Sequence, residues 1–332
     1  MEMKTVFKNQ FGELRSGWQI VLFILALAGS SAATTVPLVL LLNVRDTFAL
    51  SAAALVSALL ATLLATRFIN RKPFIAVGLA VNGHTMRELG IGCLVGWLMM
   101  TGVFGVEYAR GYLKVVATDL SFTQAAQTFA ISIVFFAVAA MFEEVLFRGY
   151  LFQTLVRGIN VIPSVVVMGV LFSLAHFRNP NANAFGLINT ILVAILFCYA
   201  YWRTRGLWLP FGIHFAWNFS QTTLYGYPTS GIHFSNYELT KLTQFGPDWI
   251  TGGAYGPEGG ALATLMILLC GVYLYFSQTL QPYPGIVTLE TEEERLQFRT
   301  FESRAYWLKA PDGSGDPSGR RRPVEQAGRV AA

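Results

Sequence analysis

The chain has 332 residues, of which 54% are hydrophobic and only 13% are charged, and its formal net charge is +5. Because soluble domains contain about 25% charged residues, this composition excludes an ordinary soluble protein and indicates a polytopic membrane protein. Cys93, Cys198 and Cys270 each lie in an apolar stretch without a CxxC spacing, so we expect buried apolar side chains rather than a redox pair.

Taken in chain order, eight apolar stretches approach or exceed the ~20 residues that a membrane-spanning helix needs. The predicted fold is therefore all-α, a polytopic membrane helix bundle of about eight transmembrane helices. The predicted spans are residues 18–42, 47–66, 89–108, 125–157, 161–177, 183–202, 207–225 and 259–279.

The predicted bundle comprises residues 18–280, and the segments on either side of it are polar. Residues 1–17 are predicted to be a cytoplasmic amino-terminal segment, and residues 281–332 a cytoplasmic tail that is partly disordered. Within that tail, residues 290–309 have the pattern of a short amphipathic helix. We expect removal of everything after Pro284 to leave the bundle and its activity intact.

Basic residues indicate the side of the membrane, since cytoplasmic loops carry an excess of lysine and arginine. With both ends of the chain inside, all but five of the basic residues fall on the inner side. The five assigned to the outer side are Arg45, Arg110, Lys114, Arg178 and Lys241. We therefore expect an integral protein of the plasma (inner) membrane with cytoplasmic amino and carboxyl termini.

The fourth predicted span contains three ionisable residues, Glu143, Glu144 and Arg148, in an otherwise apolar helix. An ionised side chain at mid-bilayer costs roughly 2.5–3.5 kcal/mol, so these residues must face the bundle interior and find partners. Glu144 and Arg148 are i,i+4 neighbours and are predicted to pair. Glu143 is rotated about 100° away from Glu144 and gains no partner from that pair, so it is available for chemistry.

Two later spans carry polar residues at matching depths. Glu143 and His176 are equally far in sequence from the turn near residues 158–160, so two regular helices would place them level. His214 and Asn218 are one helical turn apart, roughly 15–21 Å beyond the basic turn at residues 203–205. If both turns are cytoplasmic, all four side chains meet within the membrane.

Each of these residues also has a purely structural interpretation. His176 alone can be a satisfied packing residue, and His214 with Asn218 resembles a common polar contact between helices. Glu144 with Arg148 can be a structural salt bridge. Their agreement on one depth favours an intramembrane active site.

Together the motifs resemble the three-part signature of the CPBP intramembrane proteases. The matching residues are Glu143-Glu144-x-x-x-Arg148, Phe172-x-x-x-His176 and His214-x-x-x-Asn218, in this order on successive spans. That family includes the CAAX prenyl endopeptidases and the bacterial bacteriocin-processing and immunity (Abi-type) proteins. The resemblance covers residues 125–225 and implies hydrolysis of a peptide bond in or near the membrane.

The residues can be assigned roles in that reaction. Glu144 is expected to stay with Arg148, while Glu143, with His176 beside it, positions and deprotonates a water molecule. His214 and Asn218 would donate hydrogen bonds to the tetrahedral oxyanion. The competing version is a zinc metalloprotease with Glu143, His176 and His214 as ligands. We favour no cofactor, because the chain has no His-Glu-x-x-His motif and asparagine is a poor zinc ligand.

Two non-proteolytic classes fit the same residues. Ionisable side chains in membrane helices also mark proton-coupled transporters, although we find no internal repeat. A non-catalytic immunity or scaffold protein would bind a partner through the same cluster. The expected partners are the lipid bilayer and a membrane-anchored peptide or protein substrate, possessing either a CAAX-like tail or a leader peptide, with no nucleic acid.

Overall fold

The computed structural model describes residues 6–9 and 12–289. The predicted amphipathic segment, residues 290–309, and the end of the predicted tail, residues 311–332, lie outside the described residues. The compact unit ends at Leu289.

The described part of the chain is mostly helical, as predicted. Its helices follow the order of the eight predicted spans, and the fourth span is divided into two helices. They are α1 (Ser16–Leu40), α2 (Thr47–Leu64), α3 (Gly83–Ala109), α4 (Phe122–Glu144), α5 (Phe152–Ile159), α6 (Val161–His176), α7 (Ala184–Thr204), α8 (Trp208–Phe219) and α9 (Ala261–Phe276).

Five helical segments are long and apolar enough to cross a membrane: Ser16–Leu40, Thr47–Asn70, Gly83–Ala109, Phe122–Ile159 and Ala184–Thr204. The helices α6 and α9 are apolar but shorter. Large apolar side chains are exposed along these helices, for example Leu25 (62%) and Leu268 (56%), as expected for surfaces that face lipid. The chain is an integral membrane protein, and the count of eight spans stays a prediction.

Side-chain caps fix the starts of three helices that carry or flank the site, α3, α4 and α7. Ser121 and Gln124 form a capping box at the start of α4, and Asn82 with Thr85 forms another at α3. The Asn183 side chain accepts a hydrogen bond from the Gly186 backbone at the start of α7. Polar caps at sequence positions just before apolar runs therefore set where each helix enters the bundle.

The fourth span departs from the regular helix that the sequence predicts over residues 125–157. A π-helical segment, Val145–Leu151, separates α4 from α5, and Gly149 within it has a non-helical ψ of −110°. π-Helical segments occur often at functional sites, because they redirect the side chains around them. A regular helix would place Glu143 level with His176, and the prediction that this helix is regular is wrong.

Small residues bring α8 unusually close to α3. A Cβ atom on Gly96 would lie 2.2 Å from the Ile213 carbonyl oxygen, and one on Gly212 would lie 2.6 Å from the Leu89 carbonyl oxygen. Only glycine leaves room for this backbone contact. The contact fixes the height and rotation of α8 next to His214.

A two-stranded antiparallel sheet, which the sequence does not predict, joins two loops of the bundle. Strand β1 (Leu113–Ala117) pairs with strand β2 (Thr240–Gln244). The loops that contain these strands therefore lie at the same end of the bundle. That arrangement agrees with the assignment of Lys114 and Lys241 to one side of the membrane.

The packing of Leu289 indicates that the removable tail begins after Leu289 and not after Pro284. Its side chain is only 1% exposed and packs in a cluster with Phe23 and Tyr150. Burying a leucine is worth about 1.5–3 kcal/mol, so ending the chain after Pro284 removes a core contact. We expect truncation after Leu289 to keep the wild-type melting temperature and activity, and truncation after Pro284 to lower the melting temperature. Equal melting temperatures in detergent would contradict this placement of Leu289.

Candidate functional site

Glu144 is the centre of a buried polar cluster. Its Oε1 accepts hydrogen bonds from Nη1 of Arg148 at 3.2 Å and from Nδ1 of His214 at 2.9 Å. The side chains of Glu144 and Arg148 are both 0% exposed. Glu144 thus ties the π-helical segment after α4 to α8, and it fixes the orientation of the His214 ring.

Aromatic rings enclose the guanidinium group of Arg148. Its Cζ atom lies 4.4 Å from the centre of the Phe172 ring and 5.1 Å from that of the Phe197 ring. A cation over the face of a ring is attracted to its π-electrons, and the attraction grows when water is excluded. Arg148 is therefore held by one carboxylate and by two rings from α6 and α7.

Glu143 differs from its neighbour in both exposure and partners. Its side chain is 26% exposed, and its Oε2 lies 3.8 Å from Nε2 of His214, too far for a direct hydrogen bond. Within the described residues, this oxygen has no hydrogen-bond partner. Glu143 also lines a cavity of about 410 Å³, whereas Glu144 and Arg148 do not. The adjacent glutamates therefore occupy different environments.

His176 and Asn218 line the same cavity as Glu143 and His214. Nδ1 of His176 is 2.8 Å from the Phe172 carbonyl oxygen. Because a carbonyl oxygen only accepts, Nδ1 carries the proton in this contact, and Nε2 of a neutral ring is an acceptor. Asn218 follows His214 by one turn of α8.

Of the six residues singled out in the sequence, four line one cavity and the other two, Glu144 and Arg148, are connected to it through the Glu144–His214 hydrogen bond. One contact differs from expectation. The sequence predicts that His176 lies beside Glu143. In the described part of the chain, the imidazole within ion-pair distance of Glu143 belongs to His214 instead. The π-helical segment after Glu144 changes the register between Glu143 and the turn at residues 158–160, on which the expected placement of His176 beside Glu143 rested.

Phenylalanines and aliphatic residues form most of the cavity wall, with a few polar groups among them. The polar residues that sequence analysis did not single out are Asn179, Asn189, Thr190, Thr229, Ser230 and Glu258. Glu258 directly precedes the eighth apolar stretch. An acidic residue at the start of a predicted span was the one sequence feature that could have identified it as a site residue. The other five carry no motif.

The zinc alternative can be tested against the geometry. Within residues 6–9 and 12–289, no three His, Cys, Asp or Glu side chains are grouped as a metal site would need. Glu143, His176 and His214 line one cavity but do not form such a group. We therefore assign no step of peptide-bond hydrolysis to a metal.

We expect the purified protein to contain zinc well below one ion per chain and to resist chelators, because its ligand set is incomplete. Elemental analysis of protein with measured activity provides the check. One tightly bound metal ion per active chain would restore Glu143, His176 and His214 as ligands of a metalloprotease.

Comparison with known proteins agrees with the position of this site. Residues 125–220 match the family model described as "Type II CAAX prenyl endopeptidase Rce1-like". The match confirms the resemblance indicated by the three motifs. This segment begins within α4 and ends at Ser220, the residue after α8, so it contains all six motif residues.

A curated relative matches a larger part of the chain. The protein described as "Uncharacterized protein YyaK" from Bacillus subtilis (strain 168) is 24% identical over 159 residues. The alignment covers 47% of this chain and 53% of the relative, so the chain spans about half the length of the relative. No solved structure was found to match.

Proposed function

We propose that this protein, which carries an Rce1-like domain at residues 125–220, is a membrane-embedded endopeptidase with Glu143 as its general base. The observation that carries the proposal is the environment of Glu143. Its Oε2 has no hydrogen-bond partner among the described residues, and it borders a cavity beside an imidazole held in place by Glu144. An acceptor in this position suits a water molecule about to lose a proton.

The proposed reaction conserves its atoms and protons. Glu143 takes a proton from water while the water oxygen bonds to the carbonyl carbon of the substrate. The C–N bond of the tetrahedral intermediate then breaks, and the proton on Glu143 passes to the departing amine. The products are a carboxylic acid and an amine, which become a carboxylate and an ammonium group when the acid proton passes to the amine, and Glu143 returns to its starting form.

The remaining motif residues support this reaction in distinct ways. Asn218 donates its amide hydrogen to the oxyanion, and His214 is the proposed second donor. Because its Nδ1 donates to Glu144, it donates through Nε2 as an imidazolium whose proton comes from solvent before the reaction and stays on the ring throughout. Such a donor contributes about 3–4 kcal/mol to transition-state stabilisation in known enzymes. His176 accepts a hydrogen bond from the attacking water through Nε2, since its Nδ1 proton is committed to the Phe172 carbonyl.

Glu144 and Arg148 act as positioning residues rather than as reacting groups. Glu144 holds Nδ1 of His214, and Arg148, which does not line the cavity, supplies the counter-charge to Glu144. A histidine is most effective when a second group sets its tautomer and ring orientation. The fully buried pair supports this function and explains why two charges are retained in a membrane helix.

The cavity favours a membrane-anchored peptide or protein as substrate. Its wall combines the polar residues above with the phenylalanine rings of Phe135, Phe136, Phe142, Phe147, Phe172, Phe197 and Phe234. Apolar walls with a few placed polar groups are typical of sites that enclose a ligand. A CAAX-like tail, which the description of the matching family names, and a leader peptide both fit.

We assign the protein to the plasma (inner) membrane with cytoplasmic termini, from the distribution of its basic residues.

Membrane proteomics can test this function without a known substrate. Cells producing the wild-type protein are compared with cells producing Glu143→Gln at equal abundance, and new peptide termini are identified by mass spectrometry. We expect membrane proteins whose new termini depend on Glu143. Identical sets of termini would contradict the proposal and favour a proton-coupled transporter or a non-catalytic scaffold.

A further inference from the structure

Glu258 lines the same cavity as Glu143 but lies outside residues 125–220, the segment matched by the family model. Its Oε2 accepts a hydrogen bond from Nε2 of Gln221 at 2.6 Å. Its Oε1 accepts weaker hydrogen bonds from the backbone nitrogen of Ser230 at 3.3 Å and from the Ser230 hydroxyl at 3.4 Å. All three donors are neutral, so they orient the carboxylate without cancelling its charge.

The backbone around Glu258 is held from α7. Nδ2 of Asn189 donates hydrogen bonds to the carbonyl oxygens of Glu258 at 2.8 Å and Gly260 at 2.9 Å. The Thr264 hydroxyl in turn donates to Oδ1 of Asn189 at 2.7 Å. Asn189 itself borders the cavity. The position of this carboxylate is thus fixed before any ligand binds, which lowers the cost of binding.

The charges around the cavity are unbalanced. Glu143 and Glu258 are acidic wall residues, and among the described residues no lysine or arginine side chain lines the cavity. Within the part of the chain that the structure describes, no basic side chain lies within ion-pair distance of Glu258. Burial raises the pKa of Glu258 to about 7, although the hydrogen bonds from Gln221 and Ser230 favour its ionised form. A carboxylate in such surroundings gains more from a nearby cation than it would in water.

We propose that Glu258 binds a positively charged group of the peptide substrate, a lysine or arginine side chain, and so determines sequence specificity. The inference rests on the proposed function in that it takes the ligand to be a peptide. Glu258 and the catalytic residues share one cavity, so a single extended peptide can contact both. Charge-assisted hydrogen bonds are about twice as strong as neutral ones, and this gives the basis of selection.

Binding tests this inference separately from catalysis. The full-length Glu143→Gln variant is reconstituted in lipid nanodiscs at pH 8, so that peptides bind without being cleaved. The probes are fluorescent, N-terminally acylated decapeptides of alanine and leucine in which lysine or norleucine occupies each position in turn. We expect one position at which lysine binds about tenfold more tightly than norleucine, and loss of that preference when Glu258→Gln is added.

The matched control is Glu238→Gln, which removes a carboxylate from the same long loop but not from the cavity wall. Glu238 lies 3.9 Å from Nδ1 of His233 and does not line the cavity. We expect it to keep the lysine preference. Equal binding of both peptides at every position, or equal loss of preference in Glu238→Gln and Glu258→Gln, would overturn the inference. If lysine is selected but Glu143-containing protein cleaves nothing, the proposed peptidase function fails while the binding site stands.

The lysine preference should also depend on pH. Because the pKa of Glu258 is raised to about 7, its carboxyl group gains a proton below that pH, and the preference should fall between pH 8 and pH 6. Tyr255, His176 and His214 are the other titratable groups near this wall, since the Glu143→Gln variant lacks the carboxylate of residue 143. A protonated His176 or His214 would also repel lysine, so the pH dependence is measured in Glu143→Gln and in Glu143→Gln/Glu258→Gln, and the difference between them isolates Glu258. A ratio that does not change over this range would contradict the assignment.

Discussion

The variant Glu143→Gln is expected to lose peptide-bond cleavage and to stay folded. Glutamine keeps the shape of the side chain but cannot accept the proton of water, and a general base contributes about 10²–10⁴-fold to rate. The Glu143 side chain is partly exposed to the cavity, and its Oε2 has no hydrogen-bond partner among the described residues. Its replacement therefore breaks little structure. Single-turnover cleavage and melting temperature, measured on the same preparation, check both expectations.

Glu107→Gln is the matched control for this result. Glu107 is a buried glutamate of α3 that accepts a hydrogen bond from the Tyr227 hydroxyl at 3.0 Å, and it does not line the cavity. The same chemical change there should leave cleavage near the wild-type rate. A Glu143→Gln protein that retains most of its activity would refute the role of Glu143 as the base.

Glu144→Gln is expected to act mainly on stability. It leaves the guanidinium of Arg148 buried without a counter-charge, and breaking a buried ion pair in this way costs about 3–5 kcal/mol. Arg148→Leu should have a similar effect, since it leaves Glu144 unpaired. The apparent melting temperature in detergent gives the measurement.

The double variant Glu144→Leu/Arg148→Leu separates charge imbalance from lost packing. Replacing both members of a buried pair by apolar residues is often neutral for stability, so the double variant should melt above either single variant, although it should be inactive. Glu13→Gln provides the comparison, because Glu13 is 39% exposed although its partner Arg157, at 2.7 Å, is only 4% exposed. Its loss should cost less than the loss of Glu144, since both side chains of the Glu144–Arg148 pair are fully buried. A stable Glu144→Gln protein that is merely slow would show that Glu144 belongs to the chemistry instead.

The sequence predicted the helical class of the protein and the residues around the cavity for simple physical reasons. Apolar stretches of membrane length leave helices as the way to satisfy the backbone in lipid. Ionisable residues such as Glu144 and Arg148 are too costly in those stretches unless they are paired inside the bundle. Both constraints depend on residue type and on position along the chain, so they can be recognised in the sequence alone.

The local geometry could not be predicted in the same way. The π-helical segment around Gly149 depends on packing between helices, and it altered which histidine lies next to Glu143. Leu289 packs in the bundle core although an acidic stretch follows it directly. Glu258 reaches the cavity from a loop that carries no motif. Each of these features is set by contacts between residues far apart in the chain.

Oxygen labelling shows whether Glu143 directs water at a peptide bond. A membrane-anchored reporter carrying a cleavage sequence identified by membrane proteomics is incubated in H₂¹⁸O with purified wild-type protein and with Glu143→Gln in liposomes. We expect the wild-type protein to give two fragments, the amino-terminal one carrying a single ¹⁸O in its new carboxylate, and Glu143→Gln to give none. Intact reporter with both proteins, or equally labelled fragments from both, would contradict this expectation.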